Sequence, residues 1–320
     1  MKRKSLIYSL FLKGGVILFL FLIQFFLPTY HHSSFSKIMI LASYAIAYNF
    51  LLGYTGLMSL GHAMFFASGM YSAGLSILYL GFTPLEGIIF GTLFSLTMSL
   101  IFGLFALRTS GVSFLIVTLM FGQTLYLAIL YYNEFTFGQD GFSITNYLGS
   151  LVIFGKEHLY SNPTIRYNFA LIMLAVYLLV TTIIILSPIG RILIAIRENE
   201  ARTQLLGYNV FSYKLFALTF SGTLAGISGA MHALLFSYIG TTFAEIHHSI
   251  SPLLWTLLGG AGTVIGPLLG TGVMYYLIDF ISGITSNYLL VVGIILVLTI
   301  IWFPLGIMGT LRQRWIKWLP

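Results

Sequence analysis

Long apolar runs separated by short polar interruptions make up most of this chain. They fall at about 16–27, 38–52, 62–80, 84–107, 112–132, 168–187, 213–238, 249–259, 265–281 and 287–303. One membrane-crossing helix needs about 20 mostly apolar residues, so the pattern predicts an all-α, polytopic helical membrane protein with about eight to ten transmembrane helices. A single transmembrane domain then takes up residues 1–320, which leaves no room for a separate soluble unit. Two polar stretches interrupt the pattern, 133–167 and 188–212, and the second is far more basic for its length.

Two breaks point to helices that stop or turn inside the membrane. The run 249–259 is too short for a full crossing at about 1.5 Å per residue, so it is either a half-helix or begins earlier, near Glu245. Gly259, Gly260, Gly262, Gly266 and Pro267 supply a break after it, and 249–281 is expected to turn back on itself. The second break lies between Gly53 and His62. It reads either as a broken helix whose free backbone groups line a cavity or as a plain turn between helices. Ala217, Ser221, Ala225, Gly229 and Ala233 recur every fourth residue, with Gly222 and Gly226 beside them. Small residues at that spacing let helix backbones approach closely in lipid.

Composition agrees with a lipid environment: 58% of residues are apolar and 7% charged, against about 25% charged in a soluble domain. The net charge of +7 comes from 15 Lys and Arg against 8 Asp and Glu. These basic residues flank apolar runs, so they read as topology signals rather than as a nucleic-acid surface. The MKRK start and the run after it resemble the first regions of a signal peptide. No small-x-small cleavage pattern follows Pro28, which predicts an uncleaved first span. With Met1 inside, twelve of the 15 basic residues fall on the inner side, among them Lys13, Arg108, Arg191, Arg197, Arg202, Lys214, Arg312, Arg314 and Lys317. Lys37, Lys156 and Arg166 fall outside, as does the 133–167 loop, and both termini are expected in the cytoplasm.

The chain offers little chemistry of its own. It has no cysteine, no paired metal spacing beyond the adjacent His31/His32 and His247/His248, and no GxxxxGK[ST] phosphate loop. No metal, no catalytic residue and no ATP site are expected. Gly226-Ile227-Ser228-Gly229 matches the GxSG of rhomboid-like intramembrane proteases, but that chemistry needs a histidine from another helix. The spans at 265–281 and 287–303 contain none, His232 shares the serine's helix, and His247 and His248 are expected at the outer end. Glu86 and Asp279 lie near span ends, so ion coupling through a buried acid finds no support. A carrier with neither an ion site nor an ATP site needs a partner for energy. The stretch 191–206, RILIAIRENEARTQLL, reads as an amphipathic helix ended by Gly207, mixed in charge and carrying Ile194, Leu205 and Leu206. Such a surface suits docking to a partner better than lying on lipid alone.

Several segments also resemble a known family. They are NFLLGYTGLMSLGHAMFFASGMYSAGL (49–75), GVSFLIVTLMFGQ (111–123), FGQDGFS (137–143), IRENEARTQLLGYNVFSYKL (196–215), FSGTLAGISGAMHALL (220–235) and LLGGAGTVIGPLLG (257–270). In order along the chain, they are similar to the membrane permease subunits of branched-chain amino acid ABC importers of the LivM type, to which urea permeases are related. The resemblance implies a bacterial inner-membrane subunit that forms the translocation path with a second permease, of LivH type. Two ATPase subunits would hold ATP and Mg below it, and a periplasmic substrate-binding protein would deliver the substrate above. By the same resemblance, Arg197, Glu198, Glu200, Ala201 and Gly207 belong to the loop that engages the ATPase. Gly56, Ser59, Gly61, His62, Thr118 and Gln123 are candidates for the path. Alternatives are a urea or short-amide permease of the same architecture, a stand-alone carrier, or the Ser228 protease.

Overall fold

A computed structural model describes residues 2–153, 156–159 and 162–314 of the chain. Its helices are α1 (Lys2–Ile23), α2 (Thr29–Thr55), α3 (His62–Leu80), α4 (Pro84–Ala106), α5 (Val112–Tyr131), α6 (Asn133–Thr136) and α7 (Pro163–Leu186). They continue as α8 (Pro188–Glu198), α9 (Glu200–Leu205), α10 (Val210–Phe236), α11 (Ile246–Gly259), α12 (Gly266–Ser282), α13 (Tyr288–Trp302) and α14 (Gly306–Arg314). Four short strands, β1 (Phe142–Ser143), β2 (Ser150–Ile153), β3 (Lys156–Leu159) and β4 (Tyr238–Ile239), pair antiparallel as β1 with β4 and β2 with β3. Among the described residues, six helices are long and apolar enough to cross a membrane: α2 (from His31), α3, α4, α5, α7 and α10. The strands gather at one end of the bundle and α8 and α9 at the other.

Local signals set the helix boundaries. Thr83-Pro84 opens α4 with a reciprocal cap: Glu86 N donates to the Thr83 hydroxyl, and Thr83 N donates to the Glu86 carboxylate at 2.8 Å. That fixes Glu86 at an exposed helix start, outside any midplane role. Asn162-Pro163 and Ser187-Pro188 open α7 and α8 with proline in the first turn, where its missing N–H costs nothing, and Asn162 also accepts from Thr164 N.

Central and peripheral helices differ in which positions they bury. α2 is buried nearly all round, with Tyr44, Tyr48 and Phe50 at most 1% exposed, and forms the axis of the core. α4 buries only Gly87, Gly91, Ser95, Ser99, Gly103 and Ala106, and turns Leu93, Ile101 and Phe105 outward to lipid. This stripe, at four-residue spacing from Gly87 to Gly103, faces the one predicted on α10. A methyl group on Gly226 would stand 2.1 Å from the Ser95 Cβ, and one on Gly222 2.5 Å from the Ser99 Cβ. α3 crosses at the same place: Gly69 lies against the Gly226 carbonyl, and Gly229 against that of Phe66. The small-residue stripe therefore joins three helices.

The 249–281 region turns back as expected. α11 and α12 form a tight hairpin in which Gly259 meets Gly266 and Gly270 meets the Trp255 carbonyl, with Gly260 and Gly262 at φ of +115° and +77° in the turn between them. Trp255 is buried there. α11 starts inside the bundle: the Tyr44 hydroxyl donates to the His248 carbonyl at 3.1 Å, and the His248 ring stacks on Tyr44 and meets Phe66 edge-on. His248 therefore lies among core aromatics instead of at the outer end, because the chain dips inward after α10. Lys13, counted with the inner-side charges, sits halfway along α1 with its side chain buried. Lys317, one of the terminal charges used to set topology, lies outside the described residues, as does Met1.

Candidate functional site

At the α8 end, the two glycine-rich breaks meet. The C-terminus of α2 is capped by Gly56 at φ +74°, and residues 56–61 then return into the bundle instead of leaving it. The Tyr48 hydroxyl donates to the Ser59 carbonyl at 2.9 Å, and Leu60 N donates to the Thr118 hydroxyl at 3.1 Å. Ser59 and His62 are fully buried, so α3 begins inside the protein. Residues 56–61 join two helices that are each long and apolar enough to cross a membrane, so this break is a turn between helices that sinks into the bundle, with the Ser59 carbonyl and the Leu60 N–H satisfied by side chains from α2 and α5.

The second break, residues 260–265, is held against the first by Asn49. Its Nδ2 donates to the Thr263 carbonyl and its Oδ1 accepts from Gly262 N, both at 2.9 Å. Gly53, one turn further along α2, has no room for a side chain: a methyl there would lie 2.4 Å from Gly262 N. Arg197 of α8 completes the junction. Its Nη1 donates to the Gly53 carbonyl, and its guanidinium lies beside Gly262 while its aliphatic stem passes Gly56. One side chain thus touches the end of α2, the start of the first break and the turn of the second.

α8 sits on the bundle through Gly190, Leu193 and Ile196, the buried face of an amphipathic helix. The helix expected over 191–206 is in fact two. Asn199 leaves helical geometry and caps α9 by accepting from Arg202 N at 2.8 Å, which re-aims the second half. Glu198, Glu200, Ala201 and Gly207 are exposed, and Lys214 of α10 pairs with Glu200 at 2.6 Å. Leu205 and Leu206 are 88% and 70% exposed at this polar end, next to exposed Tyr208 and Phe211. Gly207 ends the segment with φ +89°. An apolar patch ringed by charge is the form a protein-docking surface takes.

Most of the path candidates come together. A methyl on Gly61 would lie 2.2 Å from the Thr118 carbonyl. His62 Nε2 is 2.8 Å from the Ser221 hydroxyl, which itself donates to the Ala47 carbonyl at 2.5 Å. Ser221 therefore accepts from His62, whose Nδ1 is left buried and unpartnered as an acceptor. The space beside Ser59, Gly61 and Thr118 amounts to only about 10 Å³, hardly room for one water. Gln123 stands apart, half-buried on the flank of α5. At the strand end, an open cavity of about 690 Å³ is bordered by Leu130, Asn133, Glu134, Gly138, Gln139 and Asp140. Asn49 is not among the residues the sequence singles out, yet an asparagine near the end of a long apolar run is itself a readable signal.

The protease chemistry does not assemble. Ser228 is fully buried, with its hydroxyl 3.1 Å from the Leu224 carbonyl and 3.2 Å from the Tyr177 hydroxyl. His232 stacks on Phe236 and packs against Phe243.

Residues 32–300 match the family described as branched-chain amino acid transport system / permease component. The chain is 29% identical over 305 residues to the high-affinity branched-chain amino acid transport system permease protein LivM of Salmonella typhimurium, covering 86% of this chain and 69% of that protein. The Escherichia coli K12 LivM is 28% identical over 300 residues with the same coverage. The ribose import permease protein RbsC of Haemophilus influenzae is 30% identical over 120 residues, 35% of this chain and 37% of that protein. No solved structure gives a significant match.

Proposed function

This chain belongs to the family of permease components of branched-chain amino acid transport systems, and from that premise we propose that it forms half of the membrane path of an importer for aliphatic amino acids. It is a multi-pass membrane subunit and not an ATPase, and a permease of this kind works with ATPase and other transporter subunits. In the proposed assembly, a second permease chain completes the path and two ATPase subunits, holding ATP and Mg, dock on α8 and α9. A periplasmic binding protein delivers substrate at the strand end, and the α8 end faces the cytoplasm of a bacterial inner membrane.

The observation that carries this reading is the Arg197 junction. α8 and α9 present exposed charge and exposed Leu205 and Leu206 on one side, while Arg197 reaches the Gly53 carbonyl and the Gly262 turn on the other. A push on α8 therefore reaches both glycine-rich turns, and non-helical backbone held inside a membrane bundle is where transport sites are built. The first break leads directly to Ser59, Gly61, His62 and Thr118, the narrow part of the candidate path. Closure there corresponds to a resting state that opens when the ATPases move α8. The aliphatic substrate side chain suits the apolar walls, and the open acceptor of His62 Nδ1 gives its ammonium group a partner.

The test is reconstitution in vesicles of this chain with a second permease, two ATPase chains and a periplasmic binder. ATP-dependent uptake of leucine, isoleucine or valine supports the assignment. Uptake of urea or ribose in their place would move the substrate class, and uptake by the purified chain alone, driven by an ion gradient, would overturn the importer.

A further inference from the structure

The crevice between α1 and α7 carries an unexplained charge. Lys13 is 5% exposed, and its Nζ donates to the Thr182 hydroxyl at 2.6 Å, which in turn donates to the Leu178 carbonyl. That threonine is neutral, and among the described residues the only ion pair is Lys214 with Glu200, far along the chain. An ammonium out of water needs an anion or a full set of acceptors, and here one hydroxyl serves three donors.

Beside Lys13 the crevice has a volume of about 310 Å³, walled by Gly14, Ile17, Ala175, Val176 and Leu179. Val176 and Leu179 are half-exposed on the outer face of α7, so the crevice opens sideways into the surrounding lipid. Thr182 lies four residues before the end of α7 on the α8 side, and Leu12 packs near Ile265 and Met308 at that same end. The lysine thus stands in the half of the membrane nearest the basic loops. Leu12 on the same helix reaches Ile265 at the edge of the second break, but Lys13 itself turns to α7, and none of the proposed path residues lines its crevice.

We infer that this crevice binds an anionic phospholipid, with the headgroup phosphate against Lys13 Nζ and an acyl chain along Ile17, Ala175 and Leu179. The lining decides between a lipid and a free anion. Apart from Lys13 it is apolar, so it offers a dissolved phosphate one contact but offers a lipid the whole groove. A basic position between membrane helices on the side of the basic loops is a recurring way to hold such headgroups.

Native mass spectrometry of the full chain, titrated with phosphatidylglycerol or phosphatidylcholine, tests this directly. The expected result is one phosphatidylglycerol retained at least fivefold more tightly than phosphatidylcholine, with the preference kept in Lys13→Arg and lost in Lys13→Met. Val176→Trp, which fills the crevice from its lipid-facing side and leaves the charge in place, should lose the same lipid. Arg108→Gln, a charge removed elsewhere at the same end, should not. Unchanged preference in both Lys13→Met and Val176→Trp would overturn the site. Complete displacement of the lipid by millimolar inorganic phosphate would show a simple anion site and overturn it as well.

Discussion

The α3–α4–α10 contact and the junction under α8 lie in the same bundle and are held together by opposite means. In the first, glycines and serines bring backbones together directly, and Gly69, Gly91, Gly226 and Gly229 leave no space for even a methyl group. In the second, glycines break the helices, and the pieces are joined by a few polar side chains: Asn49 to Gly262 and Thr263, Tyr48 to Ser59, and Arg197 to Gly53. Close-packed interfaces resist deformation because each contact has one workable arrangement. A segment held by a handful of hydrogen bonds can exchange them. The comparison assigns the rigid body to the first region and the moving part to the second.

Three substitutions, with one control, grade that difference. Gly229→Leu should have the largest effect, since even its Cβ would stand 1.9 Å from the Phe66 carbonyl oxygen. A loss of about 3 kcal/mol or more is expected, seen as collapse of the thermal unfolding midpoint in detergent. Gly293→Leu, at a position with nothing within 4 Å, should leave that midpoint in place. A near-equal fall in the two would remove the rigid-body assignment.

Asn49→Leu comes next. It strands the Gly262 N–H and the Thr263 carbonyl in a buried site, at a cost of about 2–4 kcal/mol. Its signature should be local: faster hydrogen exchange across 260–265 and 56–61, with α3, α4 and α10 still protected. Uniform loss of protection would mean the two regions unfold as one. The smallest effect belongs to Lys214→Ala. Its partner Glu200 is half-exposed and solvent screens the pair, while the Lys214 side chain is itself only 11% exposed, so a change of about 1 kcal/mol or less is expected in the same thermal measurement.

Much of this was legible in the sequence. The apolar runs located nearly every long helix, because lipid demands length and hydrophobicity together. Both breaks showed in their glycines, and the α10 stripe in its spacing. Its partner on α4, Gly87 through Gly103 every fourth residue, carries the same spacing. Periodicity could not reveal that the two breaks meet, since residues 49 and 262 are brought together only by the fold. It also could not separate basic residues that only set topology from those with contacts of their own: Lys13 turns onto α7 and Arg197 reaches across to α2, yet both count simply as inner-side charges. Asn199 divided the expected loop helix because a capping residue within a charged stretch competes with helix continuation.

The central claim is that Arg197 transmits motion from the docking surface to both breaks. Its most direct test compares ATP hydrolysis with substrate uptake in the reconstituted complex carrying Arg197→Ala. The account predicts normal assembly and ATP hydrolysis within about twofold of the unmodified complex, with uptake reduced at least tenfold. Uptake that stays in proportion to ATP hydrolysis would contradict it.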